Sequence, residues 1–174
     1  TIEDKSFSVG SATAEMESEI SKALNVPYVL CTTSGSMAMV MGLMAAGIGP
    51  GDEVLVPTRT FIATAHAASL LGAKPVLVDC LENSTEMDVA HAKKKVTPRT
   101  RAIMPVHLNG RSCDMEVVEK VARKHGLVII EDACQSFLSR GSEGHLGTLG
   151  DFGCFSFGMV KLVNTGQGGA IVTR

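Results

Sequence analysis

Short apolar runs alternate along the chain with longer segments in which apolar residues recur every three or four positions. The run LVII at 127–130, for example, is apolar at four consecutive positions, which is typical of parallel strands buried on both faces. The pattern predicts seven strands, at Tyr28–Cys31, Glu53–Val56, Pro75–Val78, Ala102–Val106, Leu127–Ile130, Gly153–Ser156 and Ala170–Thr173.

Helical patterns occupy the intervals between these strands. Asp114 precedes one such segment, and Lys124-His125-Gly126 ends it. An acid at the start and bases with a glycine at the end are what helix termini favour. We predict helices at Ala12–Leu24, Met37–Ala46, Ile62–Leu71, Val89–Lys95 and Met115–His125.

This alternation of strands and helices predicts an α/β fold, a doubly wound sheet with helices on both faces. In such sheets a ligand lies beyond the carboxyl ends of the strands, where the connections diverge to opposite faces. The residues just after each predicted strand are therefore the candidates for a functional site.

Composition narrows the class of protein. The chain has 174 residues, a hydrophobic content of 45% and a net charge of −2, which predicts one soluble domain with a sizeable core. No basic stretch suggests nucleic-acid binding, and no apolar segment approaches the length that spans a membrane. The five cysteines are far apart and odd in number, and the five histidines lack metal-site spacing. We expect reduced thiols in a cytoplasmic protein, and no metal site.

A possible anion site follows the first predicted strand. Ser34, Gly35 and Ser36 stand where a helix begins. The free N–H groups and the dipole of a helix N-terminus favour an anion, and glycine lets it approach the backbone closely. The alternative is an ordinary serine N-cap.

Two further side chains follow other strands. Asp132 comes just after the LVII run, so its carboxylate is expected at the edge of the sheet, partly desolvated and in need of a cationic partner. The alternative is a helix cap or a structural salt bridge. Phe61 opens a predicted helix and could lie over a planar ligand, although it could equally be a core residue.

Lys161 is the only charged residue between Cys154 and Val172. A surface lysine with its stem on apolar groups is one interpretation. Together with Ser156, Asp132, Phe61 and the possible anion site, however, Lys161 indicates a planar, phosphorylated, aldehyde-bearing and protonatable ligand. Pyridoxal 5′-phosphate fits this description, whereas the glycine motifs of common nucleotide sites do not occur.

The chain also resembles a known family over nearly its whole length. The segments that carry the resemblance are, in order, TSGSMAM, GIGPGDEVLVPTRTFIATAHAASLLGAKPVLVD, PRTRAIMPVHLNG, HGLVIIEDACQS, GTLGDFGCFSF and GQGGAIVT. They resemble the DegT/DnrJ/EryC1/StrS family of nucleotide-sugar aminotransferases, which are pyridoxal-phosphate enzymes of fold type I. The resemblance implies a mostly parallel seven-stranded sheet whose last strand runs antiparallel to the others.

The resemblance also implies roles for particular residues. Lys161 would bond covalently to the cofactor and Asp132 would pair with the pyridine nitrogen, and these two are the expected catalytic residues. Phe61 would stack on the ring and Gln135 would lie near the ring hydroxyl. The phosphate would be bound by Gly35, Ser36 and Ser156.

The implied reaction is the transfer of an amino group, from L-glutamate in most of the family, to a nucleotide-linked keto-sugar, in a homodimer. Another pyridoxal-phosphate reaction, such as a lyase or dehydratase, and a non-catalytic cofactor-binding protein remain alternatives. Leu162 and Gln167 stand where the family often has asparagine and glutamate. We expect residues 1–174 to form the large cofactor domain, with a helical segment near 12–24 and without the family's C-terminal small domain.

Three other side chains are expected to be structural. His107 is interpreted as a hydrogen-bonded structural histidine, with contact to a substrate as the alternative. Cys134 is interpreted as a packing residue, and Asp151 as a turn residue and not a catalytic acid.

Overall fold

The computed structural model describes residues 10–174, so residues 1–9 of the predicted domain lie outside the described part. A seven-stranded sheet forms the centre of the molecule. Its strands are β1 (Tyr28–Thr32), β2 (Glu53–Pro57), β3 (Lys74–Val78), β4 (Thr100–Ile103), β5 (Val128–Asp132), β8 (Phe152–Ser156) and β9 (Gly169–Thr173). Across the sheet they lie in the order β1-β9-β8-β5-β4-β2-β3.

Strand β9 lies between β1 and β8 and runs antiparallel to both. The other neighbouring pairs, from β8 through β5, β4 and β2 to β3, are parallel. The mostly parallel seven-stranded sheet with an antiparallel last strand is therefore confirmed.

Within residues 10–174, five helices cover the two faces of the sheet. They are α1 (Ser11–Leu24), α2 (Gly35–Ala45), α3 (Ala63–Leu70), α4 (Val89–Lys95) and α5 (Met115–His125). The core has two main layers, since alternate residues of a strand point to opposite faces. Val54 and Ile130 pack with residues of α2 and α3, whereas Leu55 and Ile129 pack with residues of α4 and α5 on the other face. The predicted doubly wound architecture is confirmed.

Most predicted boundaries agree with the structure to within two residues, and those of α4 and α5 coincide with it. Strand β4 ends at Ile103, earlier than predicted, although Val106 still forms a bridge to Asp132. Strand β5 continues through Glu131 to Asp132, beyond the predicted end at Ile130. This extension places two acidic residues within the sheet at its carboxyl end.

Two short elements were not predicted from the sequence. One is a hairpin of two-residue strands, β6 (Arg140–Gly141) and β7 (Gly144–His145). The other is a 3₁₀ turn at Leu108–Gly110. Across residues 10–174, no helix is both long and apolar enough to cross a membrane.

Candidate active site

A crevice opens beyond the carboxyl ends of the parallel strands, where sheets of this kind bind their ligands. All seven residues that the sequence analysis proposed line this one crevice: Gly35, Ser36, Phe61, Asp132, Gln135, Ser156 and Lys161. The walls are completed by Ser34, Met39, Thr60, Ala63, Val106 and Cys134. Residues from five separate stretches of chain thus meet at the position that the fold class predicts.

Helix α2 contributes its N-terminus to the crevice. The Ser34 hydroxyl accepts a hydrogen bond from the Met37 N–H at 3.2 Å, so the expected N-cap exists together with the possible anion site. The first N–H groups of a helix have no partner within the helix. Those of Gly35 and Ser36 therefore face an open site that suits an anion.

Gly35 lies in close contact with Cys134, which follows β5, and with Ser156, which ends β8. A β-carbon at this position would lie 2.5 Å from Cys134 Sγ and 2.8 Å from Ser156 Cβ. Real β-carbons do not approach other atoms this closely, so glycine is required for Ser156 and the α2 N-terminus to meet. We call the site formed by Gly35, Ser36 and Ser156 the anion cradle.

Asp132 lies on β5 and is only 5% exposed. Its Oδ2 accepts a hydrogen bond from Thr64 Oγ1 at 2.6 Å, and its Oδ1 accepts one from the Cys134 N–H at 3.1 Å. Among residues 10–174 it has no ion-pair partner. The predicted desolvation is confirmed, and the structural salt bridge considered as an alternative does not occur in the described residues.

Phe61 is 67% exposed, which contradicts the alternative that it is a core residue. It lies two residues before α3 begins at Ala63, so the expectation that it opens the helix is slightly wrong. Its carbonyl accepts a hydrogen bond from the backbone N–H of Thr64 at 3.1 Å. The aromatic side chain is thus presented at the wall of the crevice by a fixed turn.

Lys161 lies in the segment between β8 and β9, half-buried and at the crevice wall. Its backbone N–H donates to the Gly158 carbonyl at 2.9 Å. The neighbouring Val160 and Leu162 are strongly exposed, at 91% and 75%. Lys161 therefore turns toward the site while the apolar residues on either side of it face outward.

Gln135 follows β5 and joins the crevice to the loop after β4. Its Oε1 accepts a hydrogen bond from the Asn109 N–H at 3.2 Å. Because that oxygen is used by the backbone, the side-chain NH₂ group is left to donate to a ligand.

The thiol of Cys134 lies in the floor of the crevice. Burial raises the pKa of this thiol well above its ordinary value, and the Asp132 carboxylate raises the pKa further. The thiol is therefore neutral, consistent with the packing role expected of it.

The buried pair His107 and Glu131 lies behind the crevice. His107 Nε2 is 2.7 Å from Glu131 Oε2, and His107 Nδ1 accepts the Cys113 N–H. The expectation that His107 is a hydrogen-bonded structural residue is confirmed. Asp151, which was expected to be a turn residue, accepts the Ile129 N–H through its side chain.

Sequence reasoning missed Thr60 and Thr64, which carry hydroxyls next to Phe61 and Asp132. The only signal was a pair of hydroxyl residues on either side of Phe61, where the chain enters the helix predicted at Ile62–Leu71.

A comparison with known families identifies the family of this chain. The model of the DegT/DnrJ/EryC1/StrS aminotransferase family matches residues 1–174. The chain belongs to this family. Its mostly parallel seven-stranded sheet with helices on both faces is the fold type I architecture.

Individual relatives span a range of named activities. The chain is 43% identical over 167 residues to GDP-perosamine synthase of Caulobacter vibrioides, covering 96% of this chain and 45% of the relative. It is also 43% identical over 173 residues to UDP-N-acetyl-3-dehydro-alpha-D-glucosamine 3-aminotransferase of Acidithiobacillus ferrooxidans, covering 99% and 47%. The chain thus spans about half the length of the curated relatives it matches.

A solved structure shows the same architecture. The PLP form of a putative sugar aminotransferase from Streptococcus pneumoniae superposes with a TM-score of 0.92 at 30% sequence identity. The match covers 95% of this chain and 46% of the other.

Proposed function

We propose that this chain is the cofactor-binding part of a pyridoxal 5′-phosphate-dependent aminotransferase. The reaction would transfer an amino group, from L-glutamate, to a nucleotide-linked keto-sugar. The observation that carries the proposal is that Lys161, the buried Asp132 and the anion cradle line a single crevice. The names of the relatives, which include a GDP-sugar and a UDP-sugar enzyme, support the nucleotide-sugar class.

The chemistry of Asp132 is the first test of whether the residues fit the cofactor. A buried carboxylate is costly unless a cation or several donors compensate it. Asp132 has one hydroxyl and one amide as donors, and it lines the crevice. A protonated pyridine nitrogen would supply the missing cation, so the acid fits the ring of the cofactor.

The anion cradle is the second test. The α2 N-terminus and the Ser36 and Ser156 hydroxyls provide donors for a phosphate, and Gly35 leaves the room that a β-carbon would fill. Phe61 is exposed at the crevice wall, where its ring can cover a planar ligand. The free NH₂ group of Gln135 suits the hydroxyl of the ring. The residues present therefore fit pyridoxal phosphate.

When bound, pyridoxal phosphate supplies an electrophilic aldehyde and a ring that withdraws electrons from the bond to be broken. The amine of Lys161 would hold the cofactor through that aldehyde. Once displaced by the substrate amine, Lys161 Nζ would take the proton from the α-carbon of the donor and return it during the transfer. Asp132 would keep the ring nitrogen protonated, and the anion cradle would fix the distance between the ring and Lys161.

Three further proposals concern the whole protein. We propose that residues 1–174 form the large domain of a fold type I enzyme and that the protein acts as a cytoplasmic homodimer. All five cysteines are free in the structure, which supports a reducing compartment. Light scattering coupled to size-exclusion chromatography would test the dimer.

An absorption experiment tests the proposed function. We expect the protein mixed with pyridoxal phosphate to show a visible band that L-glutamate removes and a nucleotide-linked keto-sugar restores. The Lys161→Ala variant should lack this covalent band. Lys120→Ala is the matched control, because Lys120 is an exposed lysine of α5 that pairs with Glu116 and should leave the spectrum unchanged.

The other outcomes separate the alternatives. A visible band in the wild type that persists in Lys161→Ala would contradict the assigned lysine. A band that glutamate does not change, but that is changed by another amine substrate, would favour a different pyridoxal-phosphate reaction. A band that no substrate changes would indicate a cofactor-binding protein without turnover.

A further inference from the structure

The hydroxyl of Thr64 connects two parts of the candidate site that lie far apart in the sequence. Thr64 is on α3 and is completely buried. Its Oγ1 lies 2.6 Å from Asp132 Oδ2, across 68 positions of sequence. It also lies 2.7 Å from Thr60 Oγ1 and 3.0 Å from the Phe61 carbonyl oxygen. One hydroxyl therefore has three oxygen neighbours.

The direction of these hydrogen bonds follows from the chemistry of the acceptors. A hydroxyl has one proton, and a carboxylate only accepts hydrogen bonds. The carboxylate is the strongest acceptor of the three and also the nearest, so the Thr64 proton goes to Asp132. The Phe61 carbonyl already receives the Thr64 backbone N–H at 3.1 Å. Thr60 consequently donates its own proton to Thr64 Oγ1.

These bonds fix the orientation of the acid. One carboxylate oxygen of Asp132 is held by Thr64, and the other is held by the Cys134 N–H at 3.1 Å. Because the two oxygens accept hydrogen bonds from different segments of the chain, rotation of the carboxylate would break at least one of these bonds. The remaining lone pairs of the carboxylate are then available to the crevice that Asp132 lines.

The same hydroxyl also ties the acid to the turn that presents Phe61. Thr60, Phe61 and Thr64 belong to one turn at the start of α3, and Thr60 and Phe61 both line the crevice. A bond from this turn to β5 sets the separation between the aromatic side chain and the carboxylate.

We propose that Thr64 is a positioning residue that aims the Asp132 carboxylate into the crevice and holds the Phe61 turn against it. This inference rests on the proposed function for the identity of the ligand, but the bond itself can be tested without the ligand. Thr64 does not line the crevice, so it acts through Asp132 rather than by touching the cofactor.

The experiment compares Thr64→Val with Thr64→Ser by titrating each protein with pyridoxal phosphate. Valine keeps the shape of the side chain and removes the hydroxyl, whereas serine keeps the hydroxyl. We expect Thr64→Val to weaken cofactor binding by about tenfold, the value of one hydrogen bond to a charged group. Thr64→Ser should restore the affinity to within about twofold.

Thr97→Val is the matched control. The Thr97 hydroxyl also donates to a buried carboxylate at 2.6 Å, that of Glu53, which opens β2 at the opposite end of the sheet. We expect Thr97→Val to lower the melting temperature and leave the affinity for pyridoxal phosphate unchanged. An affinity loss shared by both valine variants would show a merely structural role for Thr64 and overturn the proposal.

A second measurement needs no cofactor. In protein free of pyridoxal phosphate, Thr64→Val should lower the melting temperature in the wild-type background and lower it less in an Asp132→Ala background. Equal losses in the two backgrounds would overturn the proposal. If the valine variant does not fold, Thr64→Cys repeats both tests with a weaker donor of similar size, and an unchanged affinity in that variant would overturn the proposal.

The two proposals fail in different ways. If the wild type binds no pyridoxal phosphate, the proposed function fails, and the melting temperatures still decide whether Thr64 holds Asp132. If the wild type binds the cofactor and Thr64→Val binds it equally well, the inference on Thr64 fails and the proposed function stands.

Discussion

His107 donates a hydrogen bond from Nε2 to Glu131 Oε2 at 2.7 Å, and both side chains are completely buried. The direction is set by His107 Nδ1, which accepts the Cys113 N–H and therefore carries no proton. Glu131 also accepts backbone N–H groups of the turn at 147–150, from Gly147, Leu149 and Gly150 at 2.6–2.9 Å. Four donors thus compensate one buried carboxylate, which fastens two loops to the end of β5.

Glu131→Gln should destabilise the fold. Glutamine would turn its NH₂ group toward donors that now face a carboxylate oxygen, and each buried donor left without an acceptor costs about 1–3 kcal/mol. Urea unfolding measures the loss. The control is Glu119→Gln on α5, where the exposed glutamate pairs with Arg123 and the change should stay within about 0.5 kcal/mol. Equal stability of the two variants would show that the buried network contributes little.

Gly35→Ala should weaken the anion cradle. The new β-carbon would meet Cys134 Sγ at 2.5 Å and Ser156 Cβ at 2.8 Å, so the α2 N-terminus must move away from Ser156. We expect a loss of affinity for pyridoxal phosphate of at least about tenfold, since a cradle displaced from Ser156 forfeits a hydrogen bond to phosphate. The matched control is Gly49→Ala, where a β-carbon would meet nothing within 4 Å.

The addition of Cys134→Ala to Gly35→Ala provides a further check. It removes the sulfur atom nearest to the new β-carbon but leaves Ser156 in place. Affinity should therefore recover in part. An affinity for the cofactor that Gly35→Ala does not change would contradict the assignment of the cradle.

The hydrogen bond from Thr97 to the buried carboxylate of Glu53 should make the stability of the protein depend on pH. The hydrogen bond from Thr97 and then that from Arg99 lower the pKa of Glu53 below its ordinary value of 4.5. A lowered pKa contributes stability above the unfolded value, and this contribution is lost as the pH falls through the folded value. The melting temperature of Thr97→Val should therefore lie well below that of the wild type at pH 7, and the difference between the two should become smaller in acid. A difference in melting temperature that does not change with pH would contradict the proposed effect of the Thr97–Glu53 hydrogen bond.

The buried thiols should resist alkylation while the protein is folded. Burial raises the pKa of Cys113 to about 12, so only about one thiol in ten thousand is ionised at pH 8. Burial also raises the pKa of Cys154. Mass spectrometry after iodoacetamide treatment should find Cys113 and Cys154, which are both buried, unmodified in the native protein and all five cysteines modified in urea. Rapid native labelling of Cys113 would contradict its burial.

The sequence allowed most of the fold to be predicted, because parallel strands buried on both faces leave uninterrupted apolar runs. The run at 127–130 marked β5, although Glu131 and Asp132 extend that strand and are not apolar. Their place in the sheet depends on donors from distant loops, which local patterns do not reveal. The hairpin β6–β7 was missed for a different reason, since strands of two residues are too short to show a period.

The candidate site was predicted from two sources, the rule that ligands lie at strand ends and the resemblance to a family. Lys161 and Asp132 were found because their charge contrasts with the apolar residues near them. Thr64 was not found, because a threonine within a helical pattern gives no sign of a partner 68 positions away. The opposite holds for His107, whose structural role was expected but whose partner Glu131 was not.

The position of β9 has a consequence for how the molecule is made. Within the described residues, β1 joins the sheet only through β9, so a chain emerging from the ribosome must present β9 before β1 can pair. The arriving strand also brings Gly169 against the backbone of Ser34 and Gly35. The anion cradle is thus completed only after β9 has been synthesised, and a polypeptide that stopped before β9 would lack it.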